Sequence, residues 1–178
     1  MLQFSKVAIL APKNDHCRRI NNKVLEMITE EARTYKSVNR LISENDSEVL
    51  QFPVEFLDSL DLTGLPPHEL TLKVGAIVML LRNMNVAHGL LNGTRLIIRS
   101  MYTNALELEV ITAAETGRRI LRPRVDLSTA DSTLPFSFKT RQFPVRLAFC
   151  ITINKAQGQT LEKVGVYLPQ YVFSHGQL

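Results

Sequence analysis

Several signals that would assign this chain to a broad functional class are missing from its sequence. No apolar run reaches the roughly 18 residues that a membrane-spanning helix needs, and the first residues lack the basic-then-apolar order of a signal peptide. The histidines and cysteines show no spacing that suits zinc. The pattern Gly-x-x-x-x-Gly-Lys-[Ser/Thr] is also missing, which excludes a complete P-loop motor. We therefore expect an intracellular protein with no membrane partner and no metal ligands.

Composition sets the size of the fold but leaves the partner open. With 178 residues and 45% hydrophobic content, the chain can bury the core of one domain, with or without a small insertion. A net charge of +4 is compatible with a polyanionic partner and equally common in proteins that bind none. The two cysteines, Cys17 and Cys150, lie in apolar periodic contexts. We expect them to be buried free thiols in a reducing compartment.

The most informative stretch is residues 147–161. Its apolar run, residues 147–153, has no period-2 alternation and predicts a strand buried on both faces of a mostly parallel sheet with helices on each side. In open α/β sheets, ligands bind at the carboxyl ends of the strands. At this end Gly158 lacks a Cβ, which lets a phosphate approach the backbone. The polar side chains there are Asn154, Lys155, Gln157 and Thr160. An ordinary core strand followed by a solvent-exposed polar turn gives the same pattern.

A second strand-to-helix junction lies near the N-terminus. Residues 7–11 form a short apolar run that Pro12 ends, which predicts a buried strand. A helix is expected to follow, capped by Asn14 or Asp15 and continuing to about residue 33. Its core-facing side chains are predicted to be Cys17, Ile20, Val24 and either Met27 or Ile28. Basic side chains near its start, which either hold nucleic-acid phosphates or form a solvated helix face, are Lys13, Arg18, Arg19 and Lys23.

From residue 73 onward the pattern changes to short β-rich runs separated by Asn-Gly and Thr-Gly turns. The runs are residues 76–81, 94–100, 106–111 and 119–121. This spacing predicts a small twisted antiparallel barrel inserted into the α/β layer, to which residues 136–145 return the chain. Polar residues at its turns are either nucleic-acid contacts or polar for backbone reasons. They are Arg82, Asn83, Asn92, Thr94 and Arg95.

The amino-acid sequence of the central stretch resembles that of a known family. Residues 152–161 read Thr-Ile-x-Lys-Ala-Gln-Gly-x-Thr-Leu after an apolar strand, which resembles the fifth motif of superfamily 1 helicases. More narrowly, the stretch is similar to that of the Pif-type (petite integration frequency) DNA helicases and the related Helitron helicases. Residues 65–75 are also similar to a segment of Helitron-type helicases, and residues 173–178 resemble the first residues of the sixth helicase motif. The family usually has histidine where this chain has Asn154.

The resemblance implies a fold and a domain order. It implies an α/β second RecA-like motor domain with an inserted small SH3-like β-barrel. We expect residues 1–72 to form the first part of the RecA-like domain, residues 73–140 the insertion, and residues 141–178 the truncated remainder. The missing N-terminal RecA-like domain would be a partner in the full-length protein.

The resemblance also implies an activity and a set of site residues. The full-length protein would be an ATP-dependent DNA helicase that uses ATP and Mg²⁺ to unwind DNA in the 5′ to 3′ direction. Its pathways would include DNA repair, recombination and telomere maintenance, in the nucleus or alternatively the mitochondrion. Residues implied to bind single-stranded DNA are Pro12, Lys13, Asn14, Thr152, Asn154 and Lys155. Residues implied to face the nucleotide are Gln157, Gly158 and Gln177.

Two other classes of function compete with a motor. Because the phosphate-binding loop and the arginine finger that follows the sixth motif are absent from the sequence, we expect the isolated chain to lack ATPase activity and to contain no catalytic residue. The alternative is a truncated, non-catalytic remnant, including one derived from a transposon, that binds single-stranded nucleic acid. A structural or protein-interaction domain would require the motif match to be accidental.

Overall fold

The computed structural model describes residues 6–42, 52–62, 64–112, 115–128 and 136–169 of the chain. In these ranges the chain consists mainly of short strands joined by turns. The helices are α1 (Asn14–Glu26), α2 (Val54–Ser59) and α3 (Ile153–Ala156), together with a 3₁₀ turn at Val86–His88. The strands are β1 (Val7–Ala11), β2 (Ala32–Lys36), β3 (Val38–Ile42), β4 (Glu69–Lys73), β5 (Ile77–Leu80), β6 (Arg95–Met101), β7 (Ala105–Val110), β8 (Arg119–Pro123), β9 (Val125–Ser128), β10 (Ser137–Gln142), β11 (Val145–Leu147), β12 (Cys150–Thr152) and β13 (Lys163–Val166).

A three-stranded parallel sheet forms the α/β part of the chain, in the order β12-β1-β13. Helix α1 follows β1 and packs against β12, as the apolar stripe of the helix predicts. Together Ala11, Cys17 and Cys150 form the small buried core between helix and sheet. The mixed α/β prediction is therefore confirmed for this part of the chain.

Helix α1 ends at Glu26, earlier than the sequence pattern predicts. The ammonium of Lys73 donates a hydrogen bond to the carbonyl of Ile28 at 2.6 Å. In a longer helix this carbonyl would instead accept a backbone N–H from the next turn. From Ala32 the chain then pairs with β4. Of the two alternatives for the last core-facing residue, Ile28 packs against the core, whereas Met27 is 80% exposed.

The predicted single strand at residues 147–153 is wrong, because the run is divided between two sheets. Strand β11 pairs antiparallel with β5, and β12 pairs parallel with β1. The link between them is also held by both sheets: the Ala148 N–H donates to the carbonyl of Ile77, and the Phe149 carbonyl accepts from the Ile9 N–H, each at 2.9 Å. Burial by two different sheets produces the same unbroken apolar pattern as burial within one.

From β5 onward the chain forms a five-stranded antiparallel sheet in the order β11-β5-β6-β7-β8, in which β5 to β8 are consecutive hairpins. Its main core includes Leu80, Leu96, Leu106 and Leu108, all fully buried. The four predicted β-runs are present as β5 to β8. Within the described ranges the strand pairings leave this sheet open, with β8 and β11 at its edges, so the closed barrel is not found.

Strand β10 does not return the chain to the parallel sheet, and that prediction is wrong. It pairs antiparallel with β3 and β9 in a separate three-stranded sheet. Its side chains alternate between buried and more exposed, with Phe138, Thr140 and Gln142 pointing inward. This period-2 pattern is typical of an antiparallel strand with one solvated face. No helix in the described ranges is long and apolar enough to cross a membrane.

Candidate nucleic-acid interface

The two motif segments leave the parallel sheet from the same edge. Strands β1 and β12 are parallel neighbours, and Ala11 lies opposite Thr152 in their register. Residues 12–14 directly follow β1, and α3 directly follows β12. The structure therefore brings the predicted single-strand contacts together, although 137 residues lie between Asn14 and Thr152 in the sequence. We call this region the contact edge: residues 12–14 and 152–155.

The first segment of the contact edge is the start of α1. Lys13, with extended backbone angles, occupies the N-cap position, so the predicted cap at Asn14 or Asp15 is displaced by one or two residues. No side chain caps the helix, while the Cys17 N–H donates to the Lys13 carbonyl at 3.2 Å. Lys13 and Asn14 are exposed, and Pro12 is half-buried. Two polar side chains of this segment thus face solvent at the strand end.

The second segment is the short helix α3. Thr152 is its N-cap residue with extended backbone angles, and its hydroxyl makes no capping hydrogen bond. Asn154 is exposed, whereas Lys155 is half-buried. The side chain of Lys155 lines a cavity of about 820 Å³ between α1, β12 and residues 58–61. Lys155 is therefore not the fully exposed turn residue that a polar turn predicts.

Burial changes the protonation chemistry of Lys155. Removal from water lowers the pKa of its ammonium below the usual value, and the positive charge of Arg146 lowers that pKa further. The sulfur of Cys17 has the opposite, smaller effect on this pKa. An anion that enters the cavity would offset the repulsion from Arg146 and stabilise the charged amine.

Two charged side chains at the cavity wall, Asp61 and Arg146, are not among the residues predicted from the sequence, whereas Arg18 is one of the basic side chains predicted near the start of α1. Asp61 forms ion pairs with both Arg18 and Arg146, and Arg146 also donates to the carbonyl of Leu65 at 2.7 Å. These contacts hold both guanidinium groups at the wall. The only sequence signal for Arg146 is a charged residue that interrupts an apolar run.

On another part of the cavity wall, the imidazole of His68 is held in a polar network. Its Nδ1 lies 2.9 Å from the Ser37 hydroxyl and 3.3 Å from the carboxylate of Asp58. The Asn39 amide donates to that carboxylate at 2.8 Å. Because these partners come from β3, α2 and neighbouring loops, no local sequence pattern predicts the network.

The predicted nucleotide-facing residues lie just beyond α3. Gln157 and Gly158 are both exposed. Gly158 has φ +80° with open space where a Cβ would project, so the backbone conformation, not a steric limit, favours glycine there. The next side chain, Gln159, donates to the carbonyl of Gly93 at 2.9 Å and fastens this loop to the turn before β6. Gln177 lies outside the described residues.

Two of the turn residues suggested as nucleic-acid contacts are buried, so for them that alternative is wrong. Arg95 is fully buried and donates to the carbonyls of Val7 at 2.8 Å and Ala148 at 3.3 Å. Burial lowers the pKa of Arg95 to about 10. Thr94 is also buried and bonds the Gly89 carbonyl within its own turn. Arg95 thus joins the five-stranded sheet to the parallel sheet.

The other turn residues make backbone contacts. Arg82 donates to the carbonyl of Ser128 at 2.9 Å, and the Asn83 side chain accepts from the N–H of Asn92 at 2.8 Å. The second bond accounts for the polarity of Asn83 through the turn itself, whereas Arg82 reaches a carbonyl 46 residues further along the chain. A turn position in the sequence therefore does not distinguish a nucleic-acid contact from a residue that is polar for backbone reasons.

Comparison with known proteins supplies the family. A family model described as DNA helicase Pif1, 2B domain, matches residues 55–101, from α2 to the end of β6. The ATP-dependent DNA helicase PIF1 of Homo sapiens is 30% identical over 130 residues, which cover 73% of this chain. The chain is a relative of the Pif1 DNA helicases. Pif1 helicase from Candida albicans superposes with a TM-score of 0.70 and 25% identity over 97% of this chain.

The Pif1 relatives are much longer than this chain. It spans 20% of the human protein and 42% of the Candida albicans Pif1 chain. A crystal structure of Bacteroides Pif1 bound to single-stranded DNA matches over 96% of this chain and 36% of that chain, with a TM-score of 0.65 and 25% identity. The similarity to Pif1 helicases thus rests on both sequence and structure.

Proposed function

We propose that the chain is the C-terminal motor portion of an ATP-dependent DNA helicase and that its contact edge binds single-stranded DNA. One observation carries the proposal: β1 and β12 are paired in parallel with Ala11 opposite Thr152, so residues 12–14 and 152–155 leave the sheet side by side. The carboxyl ends of parallel strands are where open α/β sheets bind ligands. The Bacteroides Pif1 match, a protein bound to single-stranded DNA, supports the same partner.

The side chains at the contact edge suit a grip on the DNA backbone. The hydroxyl of Thr152, the amide of Asn154 and the ammonium of Lys155 can each bond phosphate or sugar oxygens without reading a base. A motor that moves along every sequence requires this kind of contact. Asn154 is uncharged, so its contact with DNA would not change with pH, unlike that of the histidine usual in the family.

The helicase reaction itself belongs to the assembled protein in this proposal. Another RecA-like domain would contribute the nucleotide-binding loop, and Gln157 and Gly158 would face the nucleotide across the gap between the two domains. Since α3 lies directly between Thr152 and these residues, a shift at the nucleotide would reach the DNA contacts along one short segment. Movement would run 5′ to 3′, and this chain alone would bind DNA without hydrolysing ATP.

A metal ion is assigned no role in this part of the motor. Within the described ranges, no three His, Cys, Asp or Glu side chains come together as metal ligands. Any Mg²⁺ that accompanies ATP would be held by the nucleotide and other parts of the protein.

The test of the DNA site compares lysines by fluorescence anisotropy with a labelled oligothymidine across a salt series. Lys155→Ala should weaken binding and reduce the slope of log K against log salt by about 0.7, the value for one lost contact to a single strand. The matched control is Lys139→Ala, which removes an exposed lysine from β10, outside the parallel sheet. That variant should bind as the wild type does.

Equal losses in both lysine variants would mean that overall charge, not the contact edge, attracts DNA. Unchanged binding by Lys155→Ala, together with a lowered melting temperature, would make the lysine a structural partner of the cavity wall. A mixed-sequence oligonucleotide should bind about as tightly as oligothymidine. A strong preference between them would contradict a site that contacts only the backbone.

A further inference from the structure

The only two cysteines of the sequence meet in the small core beneath the contact edge. Cys17 lies on α1 and Cys150 on β12, and both are free thiols. They pack together with Ala11 in one buried cluster. Cysteines that contact each other from elements far apart in sequence can be joined without unfolding the chain.

The position of the two thiols is held by a neighbouring side chain. Asn21, one turn after Cys17 on α1, donates to the Cys150 carbonyl at 2.9 Å and accepts from the Cys150 N–H at 2.8 Å. It also donates to the carbonyl of Leu147 at 3.2 Å. These three bonds fix helix and strand next to the sulfur atoms. The thiols therefore stay in contact as part of the packed fold.

Both thiols also line the cavity of about 820 Å³ that Lys155 faces. Interaction with the neighbouring Cys150 thiol lowers the pKa of the Cys17 thiol, opposed by burial and aided by the charge of Lys155. The same interaction, together with burial, raises the pKa of the Cys150 thiol. Cys17 is also the more accessible sulfur, 7% against 1% exposed, and lies near the start of α1, so it is favoured as the thiolate and Cys150 as the proton donor.

We propose that Cys17 and Cys150 form a modification site, a thiol pair that hydrogen peroxide entering the cavity oxidises to a disulfide joining α1 to β12. The Cys17 thiolate attacks one peroxide oxygen, so that an S–O bond forms, the O–O bond breaks, and the leaving oxygen takes up a proton to become water. Cys150 then attacks the Cys17 sulfur, the S–S bond forms, and the hydroxyl leaves as a second water with the Cys150 proton. The thiols lose two electrons, and the peroxide gains them.

The experiment treats the reduced, folded full chain with hydrogen peroxide and follows it by intact mass and by alkylation after unfolding. The expected product is a monomer that has lost two hydrogen atoms, takes no alkyl group, and takes two after reduction. Peptide mapping should find the peptides of Cys17 and Cys150 joined. Because the chain contains two cysteines, no other internal pair can give this result.

Serine variants separate the attacking role of Cys17 from the role of Cys150 in completing the disulfide. In Cys150→Ser the sulfenic acid of Cys17 has no partner and should be captured by dimedone. In Cys17→Ser the remaining thiol should stay reduced at the same peroxide dose, because Cys150 is only 1% exposed and burial still raises the pKa of its thiol after Cys17 is removed. Exposure of wild type to peroxide in denaturant should slow internal pairing, because contact in the fold brings the sulfurs together.

Three outcomes would overturn the proposal: an unchanged mass with two alkylatable thiols, disulfides found only between chains, or a sulfinic acid on one cysteine with the other still reduced. If either serine variant fails to fold, the mass and peptide map of the wild-type chain decide the question alone. The result does not depend on DNA binding, so it is distinguishable from failure of the proposed function.

Discussion

The five-stranded sheet and the parallel sheet bury their strands to very different extents. All four residues of β5 are buried, and β6 begins with four buried residues. In the parallel sheet, all four residues of β13 are exposed, and the buried residues of the core between α1, β1 and β12 are small, with Ile9 and Ile20 only partly buried against them. The contact edge thus belongs to the thinly packed sheet, while most of the apolar core belongs to the other. We infer that stability and DNA contact are placed in different parts of the chain.

The two regions are nevertheless joined by a buried charge. Arg95 begins β6 and donates to carbonyls of Val7 and Ala148 beside the parallel sheet. Hydrogen bonds to a buried guanidinium are directional, so they fix how the sheets meet. A change in the five-stranded sheet can therefore reach the contact edge through this contact.

The largest expected effect is in the core of the five-stranded sheet. Leu108 on β7 is fully buried, and Leu108→Ala should lower the free energy of unfolding by about 2–5 kcal/mol through lost burial and a residual cavity. The control is Val166→Ala on β13, where the side chain is 54% exposed and the cost should stay within about 0.5 kcal/mol. Urea denaturation of both variants measures the contrast. Similar losses in the two variants would contradict the unequal cores.

A smaller loss is expected where α1 is fastened to the parallel sheet. Asn21→Leu removes both hydrogen bonds to Cys150 and leaves the buried N–H of Cys150 without this partner. The free energy of unfolding should fall by about 1–3 kcal/mol. Asn22→Leu makes the same chemical change at an exposed position of the same helix. Thermal denaturation should show a lower melting temperature for the first variant than for the second. Equal melting temperatures would mean that the side-chain amide of Asn21 makes no net contribution to stability.

Local pattern was enough to predict the elements whose burial comes from one sheet. Strand β1 and strands β5 to β8 follow from apolar runs and turn residues, and the presence of α1 follows from its apolar stripe, although its N-cap is Lys13 and not Asn14 or Asp15. The division of residues 147–153 and the partners of β10 were not predictable in this way. Both depend on which distant strand lies alongside, and an apolar side chain has the same pattern against either partner.

The candidate site divides in the same way. Residues 12–14 and 152–155 were selected through the strand ends and the family resemblance, and the structure places them at one edge. Asp61 and Arg146 line the cavity only because the chain folds back over more than 80 residues. Asn21 did carry a local signal, a polar residue one turn after Cys17 on the buried face of α1. Polar residues on an apolar helix face therefore merit the same attention as strand ends.

The smallest expected effect is electrostatic and concerns acid stability. On the five-stranded sheet, Arg99 on β6 donates to both carboxylate oxygens of Glu109 on β7, at 2.8 and 3.1 Å. These bonds lower the pKa of Glu109 in the folded chain below its unfolded value. The resulting stability is fully present above the unfolded pKa of about 4.3. It is lost as the pH falls from there through the lowered folded pKa, because protonation then removes the charge that Arg99 binds.

Glu109→Gln should therefore lower the melting temperature modestly at pH 7, with a difference from wild type that shrinks on acidification to pH 3. The control on the parallel-sheet side is Glu162→Gln, which breaks an ion pair with Lys6 whose two side chains are both more than half exposed. Because solvent screens such a pair, its removal should change the melting temperature little at any pH. A difference for Glu109→Gln that stays constant between pH 7 and pH 3 would show that packing of the side chain, not its charge, supports the five-stranded sheet.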